Sequence, residues 1–111
     1  MDPQKLVHLF HIIIVGGLFL YVGIIKEKIY KPLFTVLLFL GIVIIFYHLY
    51  KLYGYLKVGK SYWVNLIHII IVGPLVVLIG YYGDKTTRKY FEILLMLGFA
   101  SIGYHLYYLF Y

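Results

Sequence analysis

Long apolar runs alternate with short polar segments along the whole chain. The runs cover approximately residues 6–25, 33–53, 63–82 and 90–110. Each run is close to the roughly 20 residues that a helix needs to cross the hydrocarbon of a bilayer. A segment in lipid must satisfy its own backbone polar groups, which favours helices. Polar and apolar residues do not alternate as they do in porin-like strands. The pattern predicts an all-α membrane protein with four transmembrane helices.

The chain contains an internal repeat at an offset of 57 residues. The segment HIIIVGGLFLYVG at 11–23 matches HIIIVGPLVVLIG at 68–80, and LGIVIIFYHLY at 40–50 matches LGFASIGYHLY at 97–107. Of the 49 positions from 6 to 54, 22 are identical to the residue 57 places later. We interpret this as tandem duplication of a two-helix unit. The expected organisation is one membrane domain with a first repeat at 1–54, a linker at 55–62 and a second repeat at 63–111.

The repeat also predicts the arrangement of the spans. Each two-helix unit crosses the membrane twice, so both units point the same way and their pseudo-two-fold axis lies along the membrane normal. Short loops favour an antiparallel bundle, with both termini on one side of the membrane. Four Lys residues lie on that side and six basic residues in the hairpin loops. The positive-inside rule therefore favours external termini.

Composition agrees with a lipid environment. Hydrophobic residues make up 64% of the chain and charged residues only 13%, which a soluble chain of 111 residues could not bury. The net charge of +6 lies in loops suited to anionic headgroups, so the expected partner is the lipid bilayer and not nucleic acid. The bundle could stand alone or form a homo-oligomer. No phosphate-binding loop, nucleophile elbow or HExxH motif is present, and no enzyme activity is predicted. Glu92, one turn after Arg88, is expected to form an i,i+4 ion pair.

Small residues and a proline mark candidate packing positions. Gly16 and Gly23 recur as Gly73 and Gly80, and small residues seven apart on one face let helices approach closely. Pro74 replaces Gly17 in the second repeat. It removes a hydrogen bond to the carbonyl of Ile70 and is expected to kink the third span.

Four histidines are the main candidates for function. His11 and His68 lie near the starts of the first and third spans, and His48 and His105 near the ends of the second and fourth. In an up-down-up-down bundle all four fall in one leaflet, on the side of the termini. Ionisable side chains inside spans are costly and often functional. The hypothesis is a ring of imidazoles that faces the bundle axis.

Such a ring suits three functions. It could hold haem b or a divalent transition metal and support electron transfer, with Gly41 and Gly98 leaving space for a flat macrocycle. His8 and Asn65, at matched positions, would orient the inner histidines, and Tyr47 and Tyr104 are further candidates for that outer role. Alternatively, the ring could gate a proton or ion channel. Finally, the histidines could be interfacial groups of a structural membrane protein without a ligand.

The blocks HxxxVGPLxxxIGY at 68–81 and YHLY at 47–50 and 104–107 resemble small multi-pass membrane proteins predicted from giant DNA virus genomes. The resemblance covers both repeats, with Gly17 departing from the pattern in the first. It implies a location in a virion or host-cell membrane and implies no activity.

Overall fold

The computed structural model describes residues 2–111, and over that range the secondary structure is helical. Four helices are long and apolar enough to span a membrane: α1 Pro3–Lys28, α2 Pro32–Val58, α3 Trp63–Lys85 and α4 Arg88–Phe110. These helices include the four predicted runs and extend beyond most of their ends.

Two of the four helices are interrupted at matched positions. In α1 a π-helical segment, His11–Val15, separates the α-helical parts Pro3–Phe10 and Gly16–Ile25, and a 3₁₀ turn covers Lys26–Lys28. In α3 the π-helical segment is His68–Val72, between Trp63–Ile67 and Gly73–Tyr82, and the 3₁₀ turn is Gly83–Lys85. The π geometry is therefore not a consequence of Pro74, because α1 has it with Gly17 at that position.

Local signals explain several helix ends. The Asp2 side chain accepts a hydrogen bond from the Gln4 backbone N–H at 3.0 Å, which caps the start of α1. The second helix ends at Gly59, whose φ of 72° is left-handed, a conformation that glycine adopts without strain. It consequently runs four residues into the segment 55–62 that the sequence suggested was linker, because Tyr, Leu, Lys and Val there continue the helix.

The helices form two compact units. The terminal unit combines residues up to Ile29 with Thr87–Tyr111, and therefore pairs α1 with α4. The central unit is Tyr30–Thr86 and pairs α2 with α3. Each unit thus joins the first helix of one sequence repeat to the second helix of the other.

Glycines allow close packing in the terminal unit. A Cβ atom added to Gly16 would lie 2.5 Å from Cγ1 of Ile102, and one added to Gly23 would lie 2.6 Å from Cβ of Leu95. From the first contact to the second, the residue number increases on α1, from 16 to 23, and decreases on α4, from 102 to 95. This pair is therefore antiparallel. The fully buried side chains of this unit lie beside these contacts and are Phe19, Val22, Phe91 and Leu94.

The central unit repeats these contacts 57 residues away. Gly73 packs against Ile45, and a Cβ atom on Gly80 would lie 2.6 Å from Cα of Leu38. Buried side chains again lie beside the glycines, namely Phe34, Leu37, Val76 and Ile79. Many large apolar side chains face outward instead, among them Phe39, Phe46, Ile70, Met96 and Phe99, each more than 60% exposed. Outward apolar surface of this extent is what lipid contact requires.

Candidate histidine centre

Three histidines meet in the terminal unit. The ring of His11 stacks on the ring of His105, with 4.3 Å between centroids and 23° between planes. Nδ1 of His8 lies 2.9 Å from Nδ1 of His105. His105 is buried, and His8 and His11 are half-buried. α1 therefore contributes two imidazoles, and α4 places a third against both of them.

The central unit has the same arrangement with one substitution. His48 stacks on His68, with 3.9 Å between centroids and 16° between planes. Nδ1 of His48 lies 2.9 Å from Oδ1 of Asn65, which occupies the position that His8 has in the terminal unit. Asn65 is buried. The residue expected to orient the histidine of its own helix contacts the histidine of the partner helix instead, in both units.

Backbone carbonyls fix the orientation of one ring in each pair. Nδ1 of His11 donates to the carbonyl of Val7 at 2.8 Å, and Nδ1 of His68 donates to the carbonyl of Val64 at 2.7 Å. A carbonyl oxygen only accepts, so Nδ1 carries the proton in both rings. In the neutral imidazole the lone pair then belongs to Nε2.

The π-helical segments begin at these same histidines. The Gly16 N–H donates to the carbonyl of His11, and the Gly73 N–H donates to the carbonyl of His68, each five residues back. π segments are rare and often lie at functional sites. Here they lie between the turns that bear His8 and Asn65 and the glycine-packed part of each helix pair.

The bond between His8 and His105 differs chemically from its counterpart. The oxygen of Asn65 can only accept, so His48 donates there. The same assignment in the terminal unit makes His105 the donor and Nδ1 of His8 the acceptor. If His8 takes up a proton, its Nδ1 becomes a donor as well, and two N–H groups then face each other. Asn65 has no corresponding protonated state.

Tyrosines border both clusters. The ring of Tyr47 is edge-on to His48 at 5.2 Å, and the ring of Tyr104 is edge-on to His105 at 5.1 Å. Tyr108 lies over His8 at 6.3 Å, with 20° between the planes. The first two tyrosines are chain neighbours of the histidines that they touch, so their positions follow from the YHLY motif. Tyr108 has Lys51 at its matched position and was not a sequence candidate.

The stacked pairs do not provide a metal site between their rings. Among residues 2–111 there is no group of three or more His, Asp or Glu side chains arranged to hold a metal ion. Imidazole binds a metal through an in-plane lone pair at about 2 Å, and the lone pairs of two parallel rings do not converge. Iron cannot fit between rings whose centroids are 3.9 or 4.3 Å apart.

The space expected beside the histidines is filled. A Cβ atom on Gly41 would lie 2.7 Å from Cγ2 of Val77, and one on Gly98 would lie 3.1 Å from Cβ of Phe19. Within each unit the partner helix packs against these glycines, and their interpretation as room for a macrocycle stays a prediction. A single ring of all four imidazoles stays a prediction.

Two ion pairs lie at the other ends of the helices. Arg88 and Glu92 form the expected i,i+4 ion pair, with 2.9 Å between Nε and Oε1. Lys31 forms an ion pair with Asp84 in the central unit. Both pairs are largely exposed, so solvent screens them.

Comparison with known proteins gives no match. No family model, curated protein or solved structure matches the chain. The functional interpretation therefore depends on the chemistry of the two histidine clusters.

Proposed function

We propose that the protein is a multi-pass integral membrane protein whose histidine clusters act as a proton-operated latch at one end of each helix pair. In this proposal, neutral imidazoles hold the helix ends together and protonation releases them, which opens a conducting path. The single observation that carries the proposal is the face-to-face stacking of two histidines in each unit.

The short distance between the stacked rings determines how strongly two protonated histidines in one pair would repel each other. Two unit charges about 4 Å apart repel by about 1 kcal/mol in water and by about 4 kcal/mol at an effective dielectric constant of 20. The observed centroid distances of 3.9 and 4.3 Å correspond to this separation. One proton per pair is tolerable, whereas a second weakens the contact. Histidine ordinarily changes charge between pH 5 and 8, which is the range in which such a latch would act.

The neighbouring backbone suits a hinge. On one side of each π segment, glycines allow the two helices of the unit to approach closely, and we expect this part of each pair to stay packed. His11 and His68 are the first residues of these segments, and His8 and Asn65 lie on the other side. Separation of the helix ends would therefore be confined to the histidine-bearing turns, with His11–Val15 and His68–Val72 as the flexible joints.

Tandem duplication is part of the proposal. It is supported by glycine contacts, π segments, stacked pairs and turn conformations that recur 57 residues apart. A pseudo-two-fold along the membrane normal would place both clusters on the side of the termini. With the lean of the basic residues towards cytoplasmic hairpin loops, the clusters would respond to external pH. A virion or host-cell membrane stays a prediction of the resemblance, and a homo-oligomer is a further part of the proposal.

The test is ion flux from proteoliposomes as a function of pH. Vesicles that contain the wild-type protein are expected to release an entrapped ion, followed with a dye, faster at pH 5 than at pH 8. The double variant His48→Gln, His105→Gln should lose this dependence, because glutamine carries no charge at either pH. Flux equal to that of empty vesicles at both pH values would refute the gating proposal and would favour the remaining candidate, a structural membrane protein without a ligand.

Haem or transition-metal ligation is a second candidate, and one observation favours it. Metal-binding histidines commonly donate their other ring N–H to a backbone carbonyl, as Nδ1 of His11 and His68 does here. A ligand would then bind at Nε2, outside the stack. This candidate predicts a Soret band or stoichiometric metal in the purified protein, lost on His11→Ala or His68→Ala. A colourless, metal-free preparation from cells supplied with haem and metals would eliminate it.

A further inference from the structure

The turn between α1 and α2 carries an unusual backbone conformation at a charged residue. Lys26 has φ of 61° and ψ of −128°, a region that residues with a Cβ atom rarely occupy. Gly83 stands at the matched position in the second repeat, with φ of 58° and ψ of −130°. The turn itself therefore suits glycine, and Lys26 is kept there against its conformational preference. Strain of this kind often accompanies a functional site.

The strained lysine lines an open recess in the terminal unit. The recess has a volume of about 550 Å³, and it lies where α1 ends and α4 begins. Its lining consists of two isoleucines, three cationic residues and one acidic residue. In chain order these are Ile24, Ile25, Lys26, Glu27, Lys28 and Arg88. Ile24 and Ile25 are 58% and 38% exposed. Cationic and apolar surface therefore lie next to each other.

The matched turn of the central unit is chemically different. There, Lys31 occupies the position of Arg88 and Asp84 that of Glu27, and these two residues form an ion pair across the turn. In the terminal unit Arg88 turns along its own helix to Glu92, for which the first repeat has Thr35. Among the described residues, no ion pair crosses this turn as that of Lys31 and Asp84 does in the central unit. The Nζ of Lys26 donates to the carbonyl of Ile24 at 3.4 Å, at the border of the recess.

We propose that this recess binds the phosphate ester of an anionic phospholipid. The ends of two membrane spans meet at it, at the level where headgroups lie. Lys26, Lys28 and Arg88 would contact the phosphate, since arginine and lysine are the usual partners of phosphate oxygens. Ile24 and Ile25 would contact the start of an acyl chain. This combination favours a lipid over a free phosphate ester.

This inference depends on the membrane location proposed above and does not depend on the histidine latch. Membrane insertion is tested first, by extraction of membranes with alkaline carbonate. Release of the protein by carbonate would refute the membrane location. If the membrane retains the protein, the lipid-binding experiment described next tests the recess separately from the membrane location.

Binding is measured by native mass spectrometry of detergent-solubilised protein titrated with phosphatidylglycerol, with phosphatidylcholine as the zwitterionic comparison. Wild type should bind phosphatidylglycerol more tightly. Lys28→Gln should weaken that binding about fivefold, the effect of one basic group near an anionic surface. The matched control Lys85→Gln removes the equivalent charge from the central unit and should leave affinity unchanged. Lys26→Gly should also weaken binding. This variant places at position 26 the glycine that the central unit has at the matched position, Gly83.

Three outcomes would overturn the proposal. Equal loss of affinity in Lys28→Gln and Lys85→Gln would show general surface attraction only. Equal binding of phosphatidylglycerol and phosphatidylcholine would exclude a site for anionic headgroups. Displacement of phosphatidylglycerol by soluble glycerol phosphate at the same concentration would show that the acyl chain contributes nothing, and that the recess recognises free phosphate esters. Circular dichroism of each variant verifies that it has folded.

Discussion

Replacement of Gly23 by alanine should separate α1 from α4. The added Cβ atom would lie 2.6 Å from Cβ, 2.8 Å from Cα and 2.9 Å from the backbone nitrogen of Leu95. Two of these atoms belong to the backbone, so no side-chain rotation relieves the overlap and the helix must move. Overpacking costs about 1–3 kcal/mol, and alanine recovers up to about 1 kcal/mol of helix propensity. We therefore expect a net loss of about 1–2 kcal/mol in the free energy of unfolding.

The assay is equilibrium unfolding in mixed micelles, followed by far-ultraviolet circular dichroism as the fraction of denaturing detergent rises. Gly17→Ala and Gly103→Ala are matched controls in the same unit, since no atom lies within 4 Å of the added Cβ. Each should be neutral or more stable by up to about 1 kcal/mol. A Gly23→Ala variant at least as stable as the Gly17→Ala variant would refute the close approach of the two helices.

Three further predictions concern local contacts. Lys26→Gly should raise the free energy of unfolding by about 1 kcal/mol, because glycine adopts the left-handed conformation of residue 26 without strain. A less stable variant would contradict that strain. Gly83→Ala is the converse change. Lys31→Gln should leave the free energy of unfolding nearly unchanged, because the side chains of its ion pair with Asp84 are 65% and 49% exposed and solvent screens them. A clear loss of stability that persists in 1 M salt would contradict this. His8→Asn should reduce the pH dependence of flux in the same assay, because asparagine takes up no proton and its Oδ1 can accept the hydrogen bond from His105. An unchanged pH dependence would argue against a role for the hydrogen bond between His8 and His105.

The spans and their close-packing positions could be predicted from the sequence, because each depends on short-range pattern. Twenty consecutive apolar residues require a helix in lipid whatever the rest of the chain does. The i,i+4 pair of Arg88 and Glu92 is likewise fixed by helical spacing alone. Gly16 and Gly23 share a face for the same reason, although the sequence does not say which helix packs there.

The partners of the site residues could not be predicted, because they depend on which helices pair. His8 was expected to act on His11, one turn along the same helix, and it contacts His105 on α4. The sequence likewise does not say which helix packs against Gly41 and Gly98. The π segments also lack a clear sequence signal. The contacts of His11 and His68 with the carbonyls of Val7 and Val64 use backbone oxygens, so no side-chain pattern in the sequence indicates them.

The central claim is that neutral histidine stacks hold the helix ends together, and inter-label distances test it most directly. The chain has no cysteine, so spin labels can be attached at Gln4→Cys with Phe110→Cys, and at the matched positions Ser61→Cys with Tyr53→Cys. Distances measured by double electron–electron resonance in lipid nanodiscs at pH 8 and pH 5 report on each unit separately. We predict that both distances lengthen at pH 5, and that His105→Gln abolishes the change in the terminal unit only. Distances that are the same at both pH values, or that lengthen equally without His105, would contradict the latch.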